Sequence, residues 1–162
     1  ALIGCANESF APLMAGVLAE RGVKAIVVRG DDGLDEISTS APTSVWDVTG
    51  AATFTRSVID AAALGIPRPD AQLLRGGDRA RNAQLLRKSL GHIEVQDADF
   101  ARVQAIRDMV AVNAAAALAA ADAVVSSPSS SLMDRIATQL PRARSVIESG
   151  SALQLLDRWS VL

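Results

Sequence analysis

Ten residues, Arg29-Gly30-Asp31-Asp32-Gly33-Leu34-Asp35-Glu36-Ile37-Ser38, hold three aspartates, one glutamate and two glycines. They directly follow an apolar run, Ala25-Ile26-Val27-Val28. A strand that empties into a loop of this kind is where α/β proteins bind ligands. Carboxylates there suit a hard divalent cation such as Mg²⁺ and the phosphates it carries. Asp35 and Glu36 are adjacent, so they diverge on an extended segment and converge on a turn. The competing reading is a solvated turn with exposed acids. Residue chemistry alone leaves the two level.

Other chemistry-bearing groups are weaker. Gly76-Gly77-Asp78 has the form of a phosphate-cradling turn at a helix start. Asp78 would put negative charge where a phosphate needs room, so a tight turn with an N-cap is the better reading. Arg107-Asp108 reads as a surface pair. Asn113 lies near an apolar helix face, suited to bonding a neighbouring loop. His92, after Gly91, suits a helix C-terminus rather than catalysis. Cys5 reads as a buried strand residue. As the sole cysteine it excludes an internal disulfide and is compatible with a reducing cytoplasm.

These residues need a scaffold. Leu2–Ala6 reads as a buried strand, with Asn7 or Ser9 as the cap of the next helix. Phe10, Leu13, Met14, Val17 and Leu18 form one apolar stripe, and Gly22 suits the helix's left-handed end. Lys24–Val28 is a second strand, so a βαβ unit with parallel strands is expected. Ser44–Val48 and Thr53–Val58 read as a third strand and an edge strand. Gly65, Pro67 and Pro69 break the chain between Asp60 and Pro69. The remainder reads as helical. Val103, Ile106, Val110 and Ala117 mark a helix from about Phe100 to Ala121. The loop Ser126–Ser131 follows. Ser131 and Asp134 have capping-box spacing, and Leu132, Ile136, Leu140, Ala143 and Ile147 continue a stripe that Pro141 would kink or divide. Gly150 ends that helix, and Ser151 caps a last one.

The expected class is α/β, a largely parallel sheet flanked by helices in a single domain over residues 1–162. Its parts are a β-α-β unit with the acidic loop (1–43), an irregular and edge-strand region (44–77) and a helical part (78–162). At 162 residues, 49% hydrophobic, 21% charged and net charge −2, the chain fits one globular domain. The charge leaves no footprint for nucleic acid. No basic run adjoins an apolar helix, and no apolar stretch approaches ~20 residues, so no membrane partner is expected. The start has neither Met nor a basic region, and it opens inside a strand pattern, as a piece of a longer chain would.

Gly33-Leu34-Asp35-Glu36-Ile37-Ser38, with Ala41-Pro42-Thr43 beyond it, resembles anthranilate phosphoribosyltransferase. Other segments agree in order. They are Leu2-Ile3-Gly4, Pro12-Leu13-Met14-Ala15, Arg21-Gly22-Val23 and Leu74-Arg75-Gly76-Gly77-Asp78 with Asn82-Ala83. Arg107-Asp108 with Asn113–Leu118, and Ile147–Ala152, complete a series covering nearly the whole chain. The match is to the family's C-terminal α/β portion, of the nucleoside phosphorylase / phosphoribosyltransferase-type fold.

The resemblance implies transfer of a phosphoribosyl group from phosphoribosyl pyrophosphate to anthranilate in tryptophan biosynthesis. It implies Mg²⁺ as cofactor with Asp35 and Glu36 as its ligands, and no catalytic residue in this chain. Substrate-binding residues are expected upstream, because the family's helical N-terminal domain and glycine-rich phosphate loop have no counterpart here. A fragment of this kind is expected to be inactive alone, and its parent to dimerise through the helical domain. Two positions depart from the family: Arg29 stands where His is frequent, and Ala41 where Gly is usual. A nucleoside phosphorylase-like enzyme and a non-catalytic binding or assembly domain are the alternatives.

Overall fold

The computed structural model describes residues 1–50, 53–92, 94–126 and 128–160; Ser127, within the predicted serine loop, lies outside them. β1 (Leu2–Gly4), α1 (Ala11–Glu20) and β2 (Ile26–Gly30) form the expected βαβ unit. β3 (Thr43–Asp47) and β4 (Thr55–Ile59) follow, with short 3-10 turns at Ala61–Leu64 and Ala71–Leu73. Then come α2 (Arg79–Leu90), α3 (Phe100–Val125), α4 (Leu132–Glu148) and α5 (Ser151–Trp159).

The sheet order is β1-β2-β3-β4. β1 and β2 are parallel, in register Leu2↔Ile26 to Gly4↔Val28. β2 and β3 are antiparallel, and so are β3 and β4. The α/β class stands, but the largely parallel sheet is corrected to a mixed one. The reason lies in residues 31–42. A parallel return needs a crossover, usually through a helix. Here the chain turns back instead, and the Asp31 N–H donates to the Pro42 carbonyl at 2.9 Å, closing the loop at its base.

Side chains alternate across β2. Ile26 and Val28 join one core with Val45, Ile59 and the inner faces of α3 and α4. Val27 joins another with Trp46, Val48, Ala11 and Ala15. The sheet is thus sandwiched between α1 and the α3–α4 pair, which explains why β2 reads as a continuous apolar run.

α1 corrects the predicted stripe. Ala11 and Ala15 are its fully buried residues, whereas Phe10, Leu13 and Val17 are 56%, 66% and 55% exposed. Small side chains let the helix lie close to the sheet, and the large ones line an open apolar hollow with Ile3, Met14 and Leu18. Nor do Asn7 or Ser9 cap α1. The Asn7 side chain accepts from the Ser9 amide at 3.0 Å, and Phe10 holds the cap position with no side-chain bond. At the other end Gly22 takes the left-handed conformation expected of it (φ 66°).

The same preference for small residues governs α3. Of the predicted face only Val103 is fully buried; Ala111, Val112, Ala115, Ala116, Ala119 and Ala120 form the core contact. By length and composition α3 could cross a bilayer, contrary to the expectation that no apolar stretch approaches that length. Its alanines are spent between the sheet and α4. α4 buries Leu132, Ile136, Leu140, Ala143 and Ile147 as predicted, and it runs through Pro141 without dividing. Ser131 caps it, accepting from the Asp134 amide at 3.1 Å and donating to the Asp134 carboxylate at 2.6 Å. At α5 the cap position is held by Gly150, with Ser151 as the first helical residue.

Arg107 is no surface partner of Asp108, which pairs instead with Arg144 at 3.3 Å. Its guanidinium donates to the carbonyls of Ser89 (2.9 Å), Lys88 (3.3 Å) and Gly91 at the end of α2. A cation there satisfies orphan carbonyls and complements the helix dipole. Arg107→Ala is expected to destabilise the chain by about 2–3 kcal/mol, the range for a lost charge-assisted bond with buried acceptors left over. Urea denaturation followed by circular dichroism measures it.

Candidate functional site

The acidic loop leaves the carboxyl end of β2, beside the carboxyl end of β1. Its first turn is held from within. The Gly33 amide donates to the Gly30 carbonyl at 2.9 Å and the Gly30 amide to the Leu34 carbonyl at 2.8 Å. Gly33 has φ 94°, a conformation that residues with a Cβ strongly avoid. Asp32 is consumed by this scaffold. It accepts from the Leu34 amide at 3.3 Å and from the Ser38 hydroxyl at 2.5 Å.

Ser38, fully buried, is the hub of the second half. Its hydroxyl accepts from the amides of Ser40 (3.0 Å) and Ala41 (3.2 Å), and its own amide donates to the Thr43 hydroxyl at 3.0 Å. Ser38→Ala strands two amides and one carboxylate oxygen. It should cost about 2 kcal/mol, read as a lowered thermal midpoint. Ile37 has its side chain wholly in the core. Its amide donates to Asn113 Oδ1 at 2.9 Å, and its carbonyl accepts from Asn113 Nδ2 at 3.0 Å.

Asp35 and Glu36 lie between these fixed halves, both exposed as residues, with the Glu36 carboxyl partly desolvated. Neither carboxylate has a hydrogen-bond or ion-pair partner among the described residues. The backbone under Asp35 presses on β1, where a Cβ added to Gly4 would fall 1.6 Å from the Asp35 carbonyl oxygen. Desolvation by burial, and then the neighbouring Asp35 charge, push the Glu36 carboxyl above its ordinary range. Two adjacent acids that repel one another, paired with no cation among the described residues, form a donor set that a divalent ion would relieve. No group of three or more His, Cys, Asp or Glu converges among the described residues. The pair therefore fits an ion that takes its other oxygens from water and substrate, as Mg²⁺ does.

Apart from Asn113, the structure does not bring the remaining candidates to this site. At Gly76-Gly77-Asp78 the turn is filled from within. Asn82 accepts from the Gly77 amide at 2.8 Å and donates to its carbonyl at 3.1 Å, while Asp78 caps α2 through the Arg81 amide at 2.8 Å. His92 is exposed and faces Glu94 at 3.1 Å. Cys5 is buried as expected, its thiol donating to the Asn7 carbonyl at 3.1 Å. Asn113 does bond a neighbouring loop, and that loop is the acidic one. Gly4 is the position against this loop that residue patterns missed. A glycine at a strand end is common, and its reason here is contact with a loop distant in sequence.

Residues 1–153 match the glycosyl transferase family, a/b domain. The chain belongs to this family. Among its relatives, the anthranilate phosphoribosyltransferase of a Nocardioides species is 45% identical over 157 residues, covering 97% of this chain and 42% of its own. That of Nocardia farcinica is 42% identical over 163 residues, covering 99% and 44%. The chain thus spans about two-fifths of the length of these glycosyl transferase relatives. In solved structures, anthranilate phosphoribosyltransferase from Saccharomyces cerevisiae in complex with PRPP and Mg superposes with a TM-score of 0.73 at 21% identity, over 96% of this chain and 39% of that one. The 4-fluoroanthranilate complex gives 0.72 at 20%, over 96% and 40%. The likeness to the solved structures shows a shared fold.

Proposed function

We propose that this chain is the cation-binding part of an anthranilate phosphoribosyltransferase. That enzyme moves the phosphoribosyl group of phosphoribosyl pyrophosphate onto anthranilate for tryptophan biosynthesis in the cytoplasm. The observation that carries the reading is the pair of adjacent carboxylates, Asp35 and Glu36, without a partner among the described residues, at the carboxyl ends of the parallel strands β1 and β2. Relatives of that name at 40–45% identity support it, as does a structural neighbour solved with PRPP and Mg.

In this reading Asp35 and Glu36 hold Mg²⁺. When bound, that ion supplies Lewis-acid neutralisation of the charge gathering on departing pyrophosphate. The chain's own residues place the two acids. Asp32 and Ser38 fix the loop's halves, and Gly4 lets the Asp35 backbone reach β1. Arg29 donates to the Ala6 carbonyl and to the Gly30 carbonyl, each at 3.2 Å. It braces the two strand ends and serves as no neutral proton carrier. Residues 1–162 act as one domain whose working surface is the end carrying the loop of residues 31–42. Anthranilate and the sugar phosphate are held by parts of the enzyme outside this chain, which by itself makes no product. The full enzyme is a homodimer joined through its helical domain.

Mn²⁺ titrated into this chain with phosphoribosyl pyrophosphate, followed by water-proton relaxation, tests the reading. Saturable binding that disappears in Asp35→Asn is expected. Equal behaviour of the two proteins overturns the metal assignment, and product formation by this chain alone overturns its role as a part.

A further inference from the structure

We infer that Asn113 of α3 is a positioning residue for the Asp35–Glu36 pair, acting through a two-point clamp on the backbone of Ile37. The inference rests on the reading of that pair as cation ligands.

The argument is geometric. The Ile37 N–H belongs to the planar peptide unit that also contains the Glu36 Cα. By accepting from that N–H at 2.9 Å, Asn113 Oδ1 fixes the plane from which the Glu36 side chain departs. Asn113 Nδ2 then donates to the Ile37 carbonyl at 3.0 Å, so the next peptide unit is fixed as well. The second hydrogen of Nδ2 is directed to the Met109 carbonyl at 2.9 Å, one turn back on α3, which locks the amide's own orientation. All of its donors are used, so it has none free to swing toward a ligand.

Only a short carboxamide offers a donor and an acceptor side by side at this reach. Aspartate lacks the donor, leucine lacks both, and glutamine is a methylene too long. The core seat of the Ile37 side chain already anchors the chain at this point. The clamp adds orientation, because an apolar plug sets position without setting the rotation of a peptide plane. The contact spans 76 residues of sequence. It ties the loop to the longest helix of the fold, while Gly4 seats the Asp35 carbonyl against β1 on the other side. The two acids are thus held between two backbone contacts, one to the sheet and one to α3.

The test uses this chain, with amide hydrogen exchange and Mn²⁺ titration in the presence of phosphoribosyl pyrophosphate. In the wild type the Ile37 amide is expected to exchange slowly despite its place beside two exposed acids. In Asn113→Ala its exchange should rise about a hundredfold while the amides of β2 and β3 keep theirs. Mn²⁺ affinity should fall about tenfold, the lower end of what outer-sphere orienting groups contribute to metal sites. Asn113→Ser, which keeps a hydroxyl able to meet one partner, gives the same comparison if the alanine variant does not fold. Fast exchange at Ile37 in the wild type overturns the clamp. Unchanged Mn²⁺ affinity in the variants, with exchange accelerated, reduces Asn113 to a structural residue and overturns its positioning role. The underlying reading fails separately, when Asp35→Asn binds Mn²⁺ as the wild type does.

Discussion

Alanine in place of Gly4 is expected to destabilise the chain by about 3 kcal/mol or more and to abolish cation binding at the acidic loop. The new methyl carbon would stand 1.6 Å from the Asp35 carbonyl oxygen and 2.6 Å from its carbonyl carbon. Both obstacles are backbone, so no rotamer change clears them. Overpacking in a well-packed site costs about 1–3 kcal/mol, and more when nothing can move aside. Gly4 is paired in register with Val28 of β2, so the strand cannot withdraw without breaking the parallel ladder. The loop has to give instead, and what it carries at that point is Asp35. Chemical denaturation measures the first effect and Mn²⁺ titration with phosphoribosyl pyrophosphate the second. A variant with wild-type stability and wild-type cation affinity would show that Asp35 does not lean on β1.

Glu36→Gln is expected to separate function from stability. On the proposed reading of Glu36 as a Mg²⁺ ligand, the substitution in the full-length enzyme should lower the transfer rate about a hundredfold or more. That corresponds to losing several kcal/mol of Lewis-acid stabilisation, at about 1.4 kcal/mol per decade. The fold should gain. The Glu36 carboxyl lies above its ordinary value of 4.5 through burial and then through Asp35. Between 4.5 and the raised value the folded state binds more protons than the unfolded state, so stability falls as pH rises through that window. Above it, the ionised Glu36 carries its full penalty. Without cation, the glutamine variant should therefore unfold later than the wild type at neutral pH, with the gap closing near pH ~4. On the same reading, cation affinity should follow the opposite course in the wild type, weakening as protons compete on acidification. A glutamine variant less stable than the wild type at neutral pH would mean that Glu36 has a structural partner.

Much of the local structure was legible in the residues. The βαβ opening, the caps at Asp78 and Ser131, the left-handed Gly22 and the α4 stripe all follow from rules acting within a few residues. The misreadings of α1 and α3 share one cause. On both helices apolar periodicity points to the large residues as the inward face, yet it is held chiefly by alanines. Helix propensity and periodicity record which side chains are apolar, not how closely the neighbouring element approaches. Where the sheet lies within van der Waals reach of a helix, the smallest residues win the contact. Arg107 reads locally as the partner of its neighbour Asp108, because nothing local announces three carbonyls at the end of another helix.

Local rules suffice to make residues 29–38 an acidic turn after a buried strand, with the adjacent Asp35 and Glu36 its conspicuous carboxylates. Tertiary structure decided which acids are free. Asp32 is bound to Ser38, whereas Asp31, Asp35 and Glu36 have no partner among the described residues, and of these Asp35 and Glu36 lie between the Gly4 and Asn113 contacts. That sorting depends on contacts to β1 and α3, far from the loop in sequence. Long-range contacts of this kind exist only once the sheet has closed and α3 has packed across it.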